Sequence, residues 1–136
     1  MSDQDFYISI NLKNQILCVK NRSLQFACFP VIVGRNSHLG AKNSEGDQKT
    51  PRGEYYVCTI NEQSKFNLFF GISYPNASDA EIAFKEGRIS EKQYNNIIYA
   101  ISNKKRPPWD TPLGGEIGIH GGGINRDGTR GCIGMK

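Results

Sequence analysis

Several signatures that commonly reveal a function are missing from this sequence. It has no C-x-x-C pair and no H-x-x-x-H, so the familiar zinc patterns do not occur. It has no apolar run approaching the ~20 residues that a membrane span requires. No Lys/Arg-rich block interleaved with aromatics marks a nucleic-acid footprint. The first residues, MSDQDFYISI, lack a basic start, an apolar stretch and a small-residue cleavage site, so they do not read as a signal peptide. Either the protein is cytosolic, or an export signal or anchor lies outside this chain. Aliphatic residues are sparse, which points to a minimal core with substantial loops. At 136 residues, 38% apolar and 22% charged, the chain suits one soluble globular domain, residues 1–136, and is too short for two. Lys and Arg exceed Asp and Glu by 17 to 13. A net charge of +4 fits an anionic polymer as partner without requiring one.

Four cysteines are present: Cys18, Cys28, Cys58 and Cys132. A turn near Asn21–Ser23 would set Cys18 opposite Gln25 or Phe26 and not opposite Cys28. Cys18, Cys28 and Cys58 thus read as small apolar residues on strands. Only Cys132 stands in a setting that suggests chemistry.

Strand patterns cover Phe6–Asn11, Gln15–Lys20 and Leu24–Val33, with Asn21-Arg22-Ser23 as a hairpin turn. Residues 35–48 are polar and Gly-rich and read as a surface loop. A Thr50-Pro51-Arg52-Gly53 turn leads into a strand over Glu54–Ile60, and Phe66–Ser73 forms another. The period then changes. Ser78 with Glu81 is a capping box that would open a helix over Asp79–Glu86. Ser90 with Gln93 repeats the device, and Tyr94, Ile97, Ile98 and Ile101 follow on one helical face. Glu116–His120 alternates again, with Ile117 and Ile119 on one face and Glu116, Gly118 and His120 on the other. Strand and helix do not alternate along the chain. The fold class that follows is mostly β, a sandwich or barrel with a small two-helix insertion.

The closing stretch, IGIHGGGINRDGTRGCIGMK, concentrates the interest. Nine of the fifteen glycines fall between Gly114 and Gly134, around one histidine and one cysteine. Three readings compete: a nucleophile with its base, a metal site, or a tight loop with two incidental residues. A thiol becomes a good nucleophile as a thiolate, and an imidazole can take its proton. The amides of Arg130, Gly131 and Cys132 are candidate donors to an oxyanion. No carboxylate is placed to orient His120, since Asp127 suits an Asp127-Gly128 turn, so a backbone carbonyl within Gly121–Gly123 would serve. Asn125, Asp127 and Thr129 resemble the start of a calcium loop, yet Arg130 replaces its turn glycine and no closing Glu follows; no metal is expected.

"IHGGGINRDGTRGCIGM" resembles the signature of the L,D-transpeptidase catalytic domain family, the YkuD-like domains. That signature is His-Gly, a spacer, then Ser/Thr-x-Gly-Cys and an apolar residue, here His120-Gly121 and Thr129-Arg130-Gly131-Cys132-Ile133. "NQILCVKNRSLQFACFPVIVG" resembles the family's opening hairpin and "KTPRGEYYV" its Thr-Pro-x-Gly turn. "FFGISYPNASDAEIAFKEGRIS" and "LGGEIGIHG" resemble the branch with a Tyr-Pro-Asn segment and small helices before the histidine. The resemblance implies a β-sandwich with a cradle-like cleft and no cofactor. Cys132 would attack the carbonyl after the third residue of a peptidoglycan stem tetrapeptide and expel D-alanine. An amine of another stem would resolve the thioester into a 3-3 cross-link. His120 would be the base, Thr129 and Gly131 would support the loop, and Arg130 stands where many members carry His. Tyr74 is expected to line the cleft.

Two departures accompany the match. Gly134 occupies a position where many members have Arg, and family domains continue past the cysteine with a short helix and a closing strand, so an end at Lys136 would leave a sheet edge open.

Other positions have plainer readings. Trp109, in a Lys104–Pro108 basic proline loop, reads first as a loop anchor and second as a lid over a stem peptide. His38 reads as solvated, Glu116 as a solvated or ion-paired carboxylate, and Tyr55, Tyr56, Phe69 and Phe70 as packing. The implied partners are peptidoglycan stem peptides, with no nucleic acid and no membrane span in this chain, in an extracytoplasmic, cell-envelope setting. Competing functions are a hydrolase using the same site, an inactive wall-binding module and, remotely, a redox thiol protein.

Overall fold

The computed structural model describes residues 6–22, 24–64, 67–121 and 128–135. Three strands at the N-terminus, β1 (Phe6–Asn11), β2 (Ile16–Asn21) and β3 (Leu24–Pro30), form an antiparallel meander. A second sheet runs β4 (Val57–Ser64), β5 (Asn67–Ile72), β6 (Gly118–His120) and β7 (Ile133–Gly134), antiparallel except for the β6–β7 pair. The two helices, α1 (Ala77–Lys85) and α2 (Glu91–Ser102), fall between β5 and β6 in the chain. The described residues are thus mostly β with a two-helix excursion, as the change of sequence period implies.

The chain beyond β3 joins the sheets. Ile32 exchanges both backbone hydrogen bonds with Gly134, at 2.9 and 2.8 Å, and Gly34 bridges to Thr129. This junction is packed by Leu17, Val31, Val33, Ile119 and Ile133. On the other flank, Tyr74, Ala80, Ala83, Ile89, Ile97, Leu113 and Ile117 pack the helices against the second sheet. Ile117, just before β6, and Ile119, within it, each serve one of these clusters, and Gly118 and His120 fall on the opposite face, as alternation predicts.

The disulfide corrects the cysteine reading. Cys18 and Cys28 are direct register partners and are bonded to each other. The meander turns between Asn21 and Leu24, and a bulge then shifts the register, from Lys20 opposite Gln25 to Val19 opposite Ala27. That one extra residue in β3 moves Cys18 from Ala27 to Cys28. The Ser23 end of the expected turn and Phe66 lie outside the described residues.

The helix starts are half as expected. In α2, Ser90 Oγ accepts from Gln93 N at 3.1 Å and Gln93 Oε1 accepts from Ser90 N at 2.9 Å. In α1 the cap is Asn76, two residues before the Ser78 that the sequence suggested: Asn76 Oδ1 accepts from Asp79 N at 2.9 Å and Asp79 Oδ2 accepts from Asn76 N at 3.0 Å. Two overlapping boxes exist in NASDAE. The extended backbone of Asn76 suits a cap, so the first box wins.

The 35–48 loop is more than a polar surface. It contains a short 3-10 turn, Ser37–Leu39, and it buries Lys42, which is 6% exposed. Lys42 Nζ lies 3.0 Å from Asp47 Oδ1 and donates to Ser44 O at 3.0 Å. Asp47 also accepts from the amides of Asn43, Ser44 and Lys49. Burial alone would raise the Asp47 carboxyl, but the Asn43 amide, the Lys42 ammonium and the Ser44 and Lys49 amides together hold it below its ordinary value. This knot ties the chain down just ahead of Thr50.

Candidate active site

His120 ends β6 and Cys132 is the residue immediately before β7. The parallel pairing sets Ile119 beside Ile133 and His120 beside Gly134. Counting back one step puts Cys132 alongside Gly118, on the face that His120 also occupies. Gly118 carries no side chain between them, and none fits. A Cβ there would lie 2.4 Å from Phe70 O and 2.6 Å from the Phe69 ring.

His120 is 7% exposed. Its Nδ1 lies 3.0 Å from Gly121 O. A carbonyl can only accept, so Nδ1 carries the proton in this contact, which fixes the ring's orientation. The expected backbone orienter within Gly121–Gly123 is thus found at Gly121; Gly122 and Gly123 lie outside the described residues, as do Asn125 and Asp127 of the calcium-like stretch. Among the described residues, no group of three or more His, Cys, Asp and Glu is placed to hold a metal ion.

The loop that carries Cys132 is held by two threonine hydroxyls. Thr129 Oγ1 accepts from Gly131 N at 3.0 Å and donates to Cys132 O at 2.5 Å. Thr129 thus braces the loop, and the Gly131 amide is already engaged. That narrows the oxyanion candidates to the amides of Arg130 and Cys132. From the buried side, Thr50 Oγ1 donates to Gly131 O at 2.8 Å. Gly131 itself has φ 141°, and a Cβ would stand 2.9 Å from Lys49 O and 2.8 Å from Ile117 Cδ1, so only glycine fits. Arg130 is exposed and Cys132 half-buried. The thiol donates to Glu116 O at 3.4 Å, a contact open only to the protonated form.

The remaining sequence candidates separate. Tyr74 does not line the cleft: it is fully buried in the helix-side core, its hydroxyl donating to Leu113 O at 2.9 Å. Pro75 is buried beside it, so the Tyr-Pro-Asn segment supports the site from within. Trp109 is half-buried, its ring against Gly115 and Gly71 with the Arg106 guanidinium 4.7 Å from the ring centroid. This is the anchoring arrangement, one residue from the Glu116 carbonyl that meets the thiol. His38 and Glu116 are exposed. Burial pushes the Cys58 thiol up, against the smaller opposing effects of its own backbone hydrogen bond and of Arg106. An open cleft of about 1340 Å³ lies between the sheets, lined by Phe6, Ile8, Val33, Arg52 and Ile119 among others; neither His120 nor Cys132 lines it.

Sequence reasoning missed Thr50 and the Lys42–Asp47 knot. Thr50 was visible only as part of a turn, because its partner Gly131 is 81 residues away in the chain.

The fold is mostly β with a small helical excursion, and its parallel β6–β7 pair brings the His120-Gly121 segment beside the Thr129–Cys132 loop. The sequence model of YkuD, the L,D-transpeptidase catalytic domain, matches residues 5–136, and the chain belongs to that family. No curated protein and no solved structure matches the chain. The family acts on peptidoglycan, and no helix among the described residues is long and apolar enough to cross a membrane.

Proposed function

We propose that this protein is an L,D-transpeptidase that uses Cys132 to transfer acyl groups between peptidoglycan stem peptides, forming 3-3 cross-links. The observation that supports the reading is the buried His120, oriented by its Nδ1 contact with Gly121 O and carried on the strand that pairs with the segment just after Cys132. His120 Nε2 takes the thiol proton, and the sulfur attacks the carbonyl after the third stem residue. A C–S bond forms and the carbonyl electrons move to oxygen, where the Cys132 and Arg130 amides are the donors. Collapse breaks the C–N bond, and His120 returns the proton to the departing D-alanine amine. An amine from a second stem then attacks the thioester, its proton passing through His120 to the sulfur. No cofactor enters these steps.

The Cys18–Cys28 bond supports an extracytoplasmic, cell-envelope location, because disulfides persist in oxidising compartments. The test is intact-protein mass spectrometry after exposure to a carbapenem, whose strained amide mimics the acyl donor. The wild type should gain one adduct, located on Cys132, and Cys132→Ala none. A folded wild type without an adduct, or an adduct that persists in Cys132→Ala, would refute the reading.

A further inference from the structure

Thr50 is 2% exposed and lies outside the His-Cys signature. Its hydroxyl is fully committed: it accepts from Gly34 N at 2.8 Å, so its single proton goes to Gly131 O, also at 2.8 Å. Its own amide donates to Ser37 Oγ at 3.0 Å, and the chain just before it is held by the Asp47 knot. The Gly131–Cys132 peptide is trans, so its C=O and N–H point in opposite directions. With the carbonyl held inward by Thr50, the Cys132 amide must point away from the core, toward the side on which an acyl group would be attacked. Thr129 holds the two backbone groups that flank this peptide, Gly131 N and Cys132 O. The plane of this one peptide is therefore set from both sides by hydroxyls.

We infer that Thr50 is a positioning residue for acylation: by holding Gly131 O it aims the Cys132 N–H at the developing oxyanion. The inference rests on the reading of Cys132 as the nucleophile. It gives the Thr-Pro-x-Gly stretch a task in the reaction besides turning the chain, and it separates two properties of the site. Thiolate formation depends on Cys132 and His120. Oxyanion stabilisation depends on the peptide that Thr50 orients.

The experiment compares two reagents on wild type, Thr50→Ala and Thr50→Ser, each shown to be folded by circular dichroism. Carbapenem acylation passes through an oxyanion; iodoacetamide alkylation, read on the Cys132 peptide, needs the thiolate alone. Thr50→Ala should slow acylation by about 10²-fold, the usual effect of losing one oxyanion donor. Its alkylation rate and the pH profile of that rate should stay those of the wild type. Thr50→Ser, which keeps donor and acceptor, should recover most of the acylation rate. If Thr50→Ala does not fold, the isosteric Thr50→Val carries the same comparison. Acylation at the wild-type rate in Thr50→Ala, no recovery in Thr50→Ser, or a parallel fall of acylation and alkylation would each overturn the inference while leaving Cys132 as nucleophile. A folded wild type that no carbapenem acylates would overturn the functional reading, and this inference with it.

Discussion

The N-terminal meander and the Cys132 loop both adjoin backbone pairing, yet they are stabilised in different ways. β1 to β3 pair along their full lengths and are cross-linked by Cys18–Cys28, but they leave Phe6, Ile8, Leu24, Phe26 and Phe29 substantially exposed. The loop from Thr129 to Cys132 has little strand of its own. It is fixed by Thr50, Thr129 and the close approach of Lys49 and Ile117 to Gly131. A meander tolerates a slip of tenths of an ångström, because its role is to cover area. A site that holds reacting groups in one geometry, as the proposed reaction requires of Cys132, does not. Hydrogen-bonded hydroxyls and a glycine at positive φ supply that fixed geometry, with partners drawn from distant parts of the chain.

The contrast can be broken at the site first. Cys132→Ala should abolish turnover and carbapenem labelling, with a circular dichroism spectrum close to wild type. His120→Ala should lower the acylation rate by about 10²–10⁴-fold, the range expected for removing a general base, measured by adduct formation over time. Residual labelling near the wild-type rate would assign the base elsewhere.

The support beneath the site is sharpened by Asp47. Asp47→Ala should destabilise the protein by about 3–5 kcal/mol in denaturant titration, because it leaves Lys42 buried without its carboxylate. The acid dependence has a definite sign. The folded Asp47 pKa lies below its ordinary value of 3.8, so the unfolded chain takes up the proton first. Its stabilisation is complete above that ordinary value and is lost as pH falls through the lower, folded value. Asp79 is shifted the other way, raised by burial against the Asn76 and Tyr55 hydrogen bonds, so its contribution grows on acidification. The comparison of wild type with Asp47→Asn holds Asp79 constant, and the variant should lose less stability on going from neutral pH to below pH 3.8.

The smallest effect on chemistry should come from the meander. Replacing Cys18 and Cys28 by Ser opens a link of sequence separation 10, which should cost roughly 2–3 kcal/mol in the chain-entropy account. The acylation rate of the folded variant should not change. A large fall in that rate would show that the meander and the site are more tightly coupled than their separate means of support suggest.

Much of this was legible in the sequence. The strand runs, the Ser90–Gln93 cap and the face shared by Tyr94, Ile97 and Ile101 are local patterns and survive folding, although the strand expected over Glu54–Ile60 lies at Val57–Ser64 and the one expected to reach Val33 ends at Pro30. His120 and Cys132 stood out through the glycines around them, and the need for a carbonyl orienter followed from the lack of a nearby carboxylate. Other features depended on information that no window of sequence holds. The Cys18–Cys28 pairing turned on a single bulge residue in β3. Tyr74 looked like a cleft residue because its segment precedes the histidine, but its hydroxyl is satisfied by Leu113 inside the core. Thr50 and Gly131 meet only once the fold has brought them together.

The central claim is that Cys132 carries the acyl group from donor to acceptor. The most direct measurement incubates the protein with a stem tetrapeptide and follows intact-protein mass, free D-alanine and peptide products together. With donor alone, the account predicts a thioester on Cys132 and one D-alanine released per adduct. Adding an amine-bearing stem should clear the adduct and yield the 3-3 linked product. D-alanine release by Cys132→Ala, or cross-linking that never passes through an adduct on Cys132, would contradict it.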